Sequence, residues 1–160
     1  MYVRPKWSEL RDGPSVLKLT KKADYGLIAM RYLAENGASA ASAKDIAEAH
    51  GIPPELLAKI LQKLVKARLL TSHHGTNGGY KLARAAREIS ALEVIKAIEG
   101  PLFITSCVTR TGEECGHTSR CTVREPLRKV SQSIEEVLSK ITIGDMGEQN
   151  AVAEELVTLS

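Results

Sequence analysis

The residues best equipped for chemistry are three cysteines, Cys107, Cys115 and Cys121, gathered in one stretch of a 160-residue chain that has no others. Seven residues separate the first pair and five the second. Gly112, Gly116 and the Glu113-Glu114 run lie between them, which makes the stretch a loop and not a helix face. Three thiols in a loop could hold a metal ion or an iron–sulfur cluster. They could equally be free or disulfide-paired thiols. Compact zinc sites usually pair their cysteines about two to four residues apart, which this spacing does not do. The histidines, His50, His73, His74 and His117, all fall in turn or loop contexts without HExxH spacing. No nucleophile–base constellation and no GxxxxGK[ST] loop accompanies them, so enzymatic chemistry is not expected.

Composition narrows the setting. The chain is 43% hydrophobic but only 4% aromatic, so its core must be built from Leu, Ile, Val and Ala, a bias toward helices. No apolar run approaches the roughly 20 residues of a membrane span, and no membrane partner is expected. The first fifteen residues lack the apolar core of a signal peptide. The expected location is the cytoplasm, where thiols stay reduced and disulfides are rare. Residues 1–84 carry 14 Lys+Arg against 7 Asp+Glu, whereas residues 85–160 carry 8 against 12. A basic first half points to a polyanionic partner for that half alone.

Residues 1–16, with Pro5, Gly13 and Pro14, form an N-terminal extension. Thr20 caps a first helix whose Leu27, Ile28, Met30, Leu33 and Ala34 have helical spacing, and Asn36-Gly37 ends it. Ser42 and Asp45 make a capping box that opens a short second helix, stopped by Gly51. Pro53 and Pro54 start a third, with Leu56, Leu57, Ile60, Leu61, Leu64 and Val65 along its apolar stripe. Glu55, Lys59, Gln62, Lys63 and Lys66 occupy the opposite face. Helix, glycine turn and helix with a basic outer face is the helix-turn-helix pattern.

A β-hairpin follows: Leu69 to Ser72, a turn over 73–79, and Tyr80 to Leu82. A hairpin directly after a recognition helix is the wing of a winged helix, its tip suited to the minor groove or phosphates. A fourth helix from Ile89 to Gly100 precedes the cysteine loop. A long amphipathic helix comes next, with Val123, Leu127, Val130, Ile134, Val137, Leu138 and Ile141 recurring every three or four residues. Such a helix at the end of a small domain pairs with its twin in a dimer. The expected fold is mainly α: a winged helix-turn-helix domain over 17–100, a cysteine loop over 101–122, a dimerisation helix over 123–143 and an acidic, frayed tail over 144–160.

This order of features resembles the IscR/NsrR-type (Rrf-two) family of winged-helix iron–sulfur regulators. The resemblance rests on Leu19-Thr20-Lys21 with Asp24-Tyr25, on Ala43 to Ile52, and on the recognition helix Pro54 to Arg68. The wing from Gly75 to Leu82 and the three-cysteine loop complete it. It covers roughly residues 17–142 and implies a homodimer that binds a double-stranded DNA operator. It also implies an iron–sulfur cluster in each subunit, two-iron in preference to four-iron, with Cys107, Cys115 and Cys121 as three of its four ligands. The assembly regulators of this family place a histidine three residues after the last cysteine; here that position is Arg124, which cannot ligate. Two fourth ligands remain: Asp24, matching a first-helix carboxylate donated across the dimer in nitric-oxide-sensing relatives, and His117 within the loop.

For DNA, base readout is expected from the exposed start of the recognition helix: Pro54, Glu55, Ala58, Lys59 and Gln62. Glu55 can accept from a cytosine amino group, Gln62 can pair with adenine, and Ala58 allows close approach. Lys21, Lys22, Lys63 and Lys66 suit phosphates, with Tyr25 beside them on the first helix. His73, His74, Thr76 and Asn77 are the expected wing contacts.

Overall fold

The computed structural model describes residues 19–104 and 121–147. Cys107, Cys115, His117, the extension over 1–16 and the tail beyond 147 lie outside the described residues. Helix α1 spans Lys21–Glu35, with the Thr20 side chain accepting from the Ala23 amide. Helix α2 spans Ala43–His50, opened by a reciprocal Ser42–Asp45 capping box and closed by Gly51 in the left-handed region. The Ser42 hydroxyl and amide, both donating to the Asp45 carboxylate, hold its carboxyl below the usual range. Helix α3 spans Pro54–Lys66. Its Leu57, Ile60, Leu61 and Leu64 are buried, each removing side-chain area from water worth about 2 kcal/mol.

Strands β1 (Leu70–His73) and β2 (Gly79–Leu82) pair antiparallel, Leu70 opposite Leu82 and His73 opposite Gly79. Tyr80 also bridges to Ala41 through two backbone hydrogen bonds of 2.8 and 3.2 Å, so the segment before α2 acts as a third, one-residue strand. A 3-10 turn, Ala86–Glu88, leads to helix α4, Ala91–Glu99. The helix starts two residues later than its apolar pattern predicts, because Ile89 is extended and buried and Ser90 is the N-cap, boxed with Glu93. Helix α5 spans Arg124–Lys140.

The end of α5 differs from expectation. The helix stops at Lys140, and Thr142 bridges to Ser90, with the Ile143 amide donating to the Ile89 carbonyl at 2.9 Å. Residues 143–147 are helical, opened by a Thr142–Asp145 capping box, where a frayed tail was expected from residue 144. The cause is burial: Ile143 is 1% exposed and belongs to the same core as Met30, Leu33, Leu57, Leu61 and Leu64. Among the described residues no helix is long and apolar enough to cross a membrane.

Arg68, just past α3, takes φ +61°, the only non-glycine residue at positive φ among those described. A side chain there costs roughly 1 kcal/mol relative to glycine. Arg68→Gly is expected to raise the thermal midpoint by about 3 °C. A midpoint that falls would mean that the arginine side chain contributes more than its backbone costs.

Candidate nucleic-acid interface and cysteine site

Burial of the Leu57–Ile60–Leu61–Leu64 stripe turns the other face of α3 to solvent, and the side chains expected to touch DNA divide accordingly. Pro54, Glu55, Lys59 and Gln62 are exposed and Ala58 is half-buried. Pro53 and Pro54 carry no donor or acceptor side chain to cap α3, so its first amides remain open to a phosphate or base. Lys63 is exposed too, and it has a partner within the chain. Its Nζ donates to the carbonyl of Ile98, in the last turn of α4, at 2.8 Å. Lys21, Lys22 and Lys66 are exposed at the ends of α1 and α3, whereas Tyr25 is half-buried against the core.

The hairpin splits its faces by the period of two. Leu70, Tyr80 and Leu82 turn to the core, while Thr71 and His73 turn outward, with Thr71 Oγ1 3.1 Å from His73 Nε2. His73, His74, Thr76 and Asn77 are all exposed in the wing. The glycines behind them are structural. A Cβ on Gly79 (φ +144°) would stand 2.5 Å from the Ala41 carbonyl carbon and oxygen, and one on Gly78 2.6 Å from the His73 oxygen. The wing's reach is therefore set by backbone packing against the Ala41 bridge.

Of the candidate cluster ligands, Cys121 and Asp24 lie within the described residues. Cys121 is a half-buried thiol with no disulfide partner among the described residues, three residues before α5 begins. Asp24 is exposed in the first turn of α1, where an acid is favourable to the helix dipole. Among the described residues no three His, Cys, Asp or Glu side chains are grouped to hold a metal. His50 packs edge-on to Tyr32, ring centroids 5.6 Å apart, and belongs to that stack.

Helix α5 rests on α4, with Lys96 paired to Glu135 at 2.9 Å. Its outer side is apolar and unpartnered among the described residues: Val123, Val130 and Val137 are 55%, 46% and 58% exposed. Lys129, Val130, Ser133, Ile134, Val137 and Leu138 line one continuous apolar groove there. Two features escaped the sequence reading: the Lys63 bond, and Arg68, whose exposed guanidinium has no partner among the described residues. Neither left a signal in the sequence, since glycine, the usual marker of the second turn, is absent there.

A family model described as "Rrf2: Iron-dependent Transcriptional regulator" matches residues 19–149. The chain is 34% identical over 130 residues to Protein aau3 of Rhizobium meliloti (strain 1021), covering 81% of this chain and 84% of that one. The structure of T. potens IscR superposes with a TM-score of 0.67 at 35% identity, covering 84% of this chain and 88% of that one. CymR, the global cysteine regulator of B. subtilis, does so with a TM-score of 0.67 at 28% identity, covering 83% and 98%.

Proposed function

The chain belongs to the Rrf2 family of iron-dependent transcriptional regulators, and from that premise we propose that it is a homodimeric, cluster-sensing repressor. It acts in the cytoplasm on a double-stranded DNA operator. It reads iron–sulfur, redox or nitric oxide status through an iron–sulfur cluster and controls iron–sulfur assembly genes. The family consists of transcription regulators, and no enzymatic step is assigned to this chain. The observation that carries the sensing role is the position of the three cysteines, between the winged helix and α5, with Cys121 at the mouth of that helix.

Thiolates are the preferred donors of iron–sulfur centres, so the chemistry of the donor set fits such a group. When bound there, the cluster supplies an oxidisable, dissociable crosslink, two-iron in preference to four-iron, whose remaining ligand is Asp24 or His117. The rest is done by the chain itself. Cys121 fixes the start of α5, and α5 pairs with its symmetry mate along the Val130–Val137 seam. The pairing sets the distance between two copies of α3, which must match half-sites about 34 Å apart. Pro54, Glu55, Ala58, Lys59 and Gln62 then read bases, Lys21, Lys22 and Lys66 hold phosphates, and His73, His74, Thr76 and Asn77 follow the adjacent groove.

The experiment is selection of binding duplexes from a random-sequence pool. Enriched sequences are expected to be palindromes with half-sites about one helical turn apart; recovery of the pool unchanged would contradict sequence-specific DNA binding. A second reading is a thiol or zinc switch in which Cys107, Cys115 and Cys121 act without a cluster. Iron and sulfide content separates the two. Asp24→Ala and His117→Ala, compared for iron retention, assign the fourth ligand: the variant that loses iron carries it.

A further inference from the structure

The last turn of α4 is tied to the DNA-binding elements at three points. The Ile98 carbonyl accepts from Lys63 Nζ of α3 at 2.8 Å. The Glu99 carboxylate accepts from the Thr20 hydroxyl, the N-cap of α1. The Ile98 side chain fills the space beside Gly26 of α1, where a Cβ would overlap its Cδ1. Carbonyls in a final helical turn lack intrahelical donors and form the negative end of the helix dipole. An ammonium donated to one of them is a charge-assisted bond, stronger than a neutral one. The chain leaves this turn at Gly100, and Cys107 follows seven residues on.

We propose that Lys63 is a positioning residue that locks the recognition helix to the last turn of α4, and that this turn passes the state of the cysteine segment to the DNA-contact face. The inference rests on the DNA-binding role proposed above and replaces the phosphate contact expected for Lys63. A shift in the course of the chain at Gly100 moves the Ile98 carbonyl, and Lys63 carries that movement into the tilt of α3. The route lies within one subunit, beside the change in dimer spacing.

The test is Lys63→Met, which keeps the aliphatic stem and removes the donor, in the full-length protein. Binding is measured against a duplex selected by the unaltered protein and against an unrelated duplex of equal length, over a range of salt. The positioning role predicts about tenfold weaker binding to the selected duplex, binding to the unrelated one within about twofold, and an unchanged salt slope. The ratio of affinities between iron-loaded and metal-stripped protein should also shrink toward one. Equal loss on both duplexes, with a salt slope lower by about one, would make Lys63 a phosphate contact and overturn the proposal. Unchanged affinity for both duplexes would overturn it as well. The salt series on stripped protein decides the positioning role even where no cluster forms. If no duplex is selected, amide hydrogen exchange decides it: faster exchange in the last turn of α4 supports the brace, and unchanged exchange removes it.

Discussion

A protein carrying Val130→Glu and Val137→Glu together is expected to be monomeric, in contrast to the homodimer proposed for the unaltered chain, and to bind its selected duplex at least about 100-fold more weakly. Val123, Leu127, Val130, Ile134, Val137 and Ile141 follow one another in alternating steps of four and three, the spacing of a two-stranded seam. A single chain leaves half of that seam in water: Val123, Val130 and Val137 are each about half exposed, while Ile134 and Leu138 are half-buried. Covering it removes apolar area worth about 1.5 kcal/mol for each valine fully buried. Carboxylates at these positions would have to be desolvated beside their own symmetry copies, which reverses the sign of the contact. Because the sites are exposed in the single chain, the winged helix should still fold with its ordinary helical spectrum. Sedimentation velocity gives the answer, and a double variant that still sediments as a dimer would place the interface elsewhere.

The second large effect is at Gly79. Alanine there must adopt φ +144° and place its Cβ 2.5 Å from the Ala41 carbonyl, backbone against backbone, with no flexible side chain to yield. The expected loss is about 3 kcal/mol, with a thermal midpoint lower by about 10 °C. Gly37 is the control: its φ is +61°, but nothing lies within 4 Å, so Gly37→Ala should cost only about 1 kcal/mol. The comparison separates strain from collision. Equal midpoints for the two variants would mean that the Ala41–Tyr80 bridge does not fix the wing.

Much of this architecture can be read from residue types. Ser42 with Asp45, the Pro53-Pro54 start, the Leu57–Leu64 stripe and the glycine-rich wing each announce themselves by local chemistry, and each lies where that chemistry puts it. What stays hidden is what depends on backbone or on distant partners. The Ala41–Tyr80 bridge is made of amide and carbonyl groups that every residue carries. Arg68 sits in a turn where glycine is the usual marker. Lys63 lies on the outer face of α3, and nothing in its own helix shows that a carbonyl 35 residues away will claim it. The core position of Ile143 ends α5 early and begins another helix, because burial outweighs the continuing apolar period. For the cysteine loop the sequence supplies donors but no distances, so Cys107, Cys115 and Cys121 state a chemistry without its geometry.

The proposed cluster is tested by anaerobic purification with a visible spectrum and iron and sulfide assays, on the unaltered chain and on Cys121→Ser. A coloured protein with near-equal iron and sulfide is the expected result. The serine variant should lose both while keeping its helical content, since Cys121 lies outside the buried core. A colourless protein without iron or sulfide after anaerobic reconstitution would contradict it, leaving a winged-helix regulator whose cysteines work as a thiol or zinc switch.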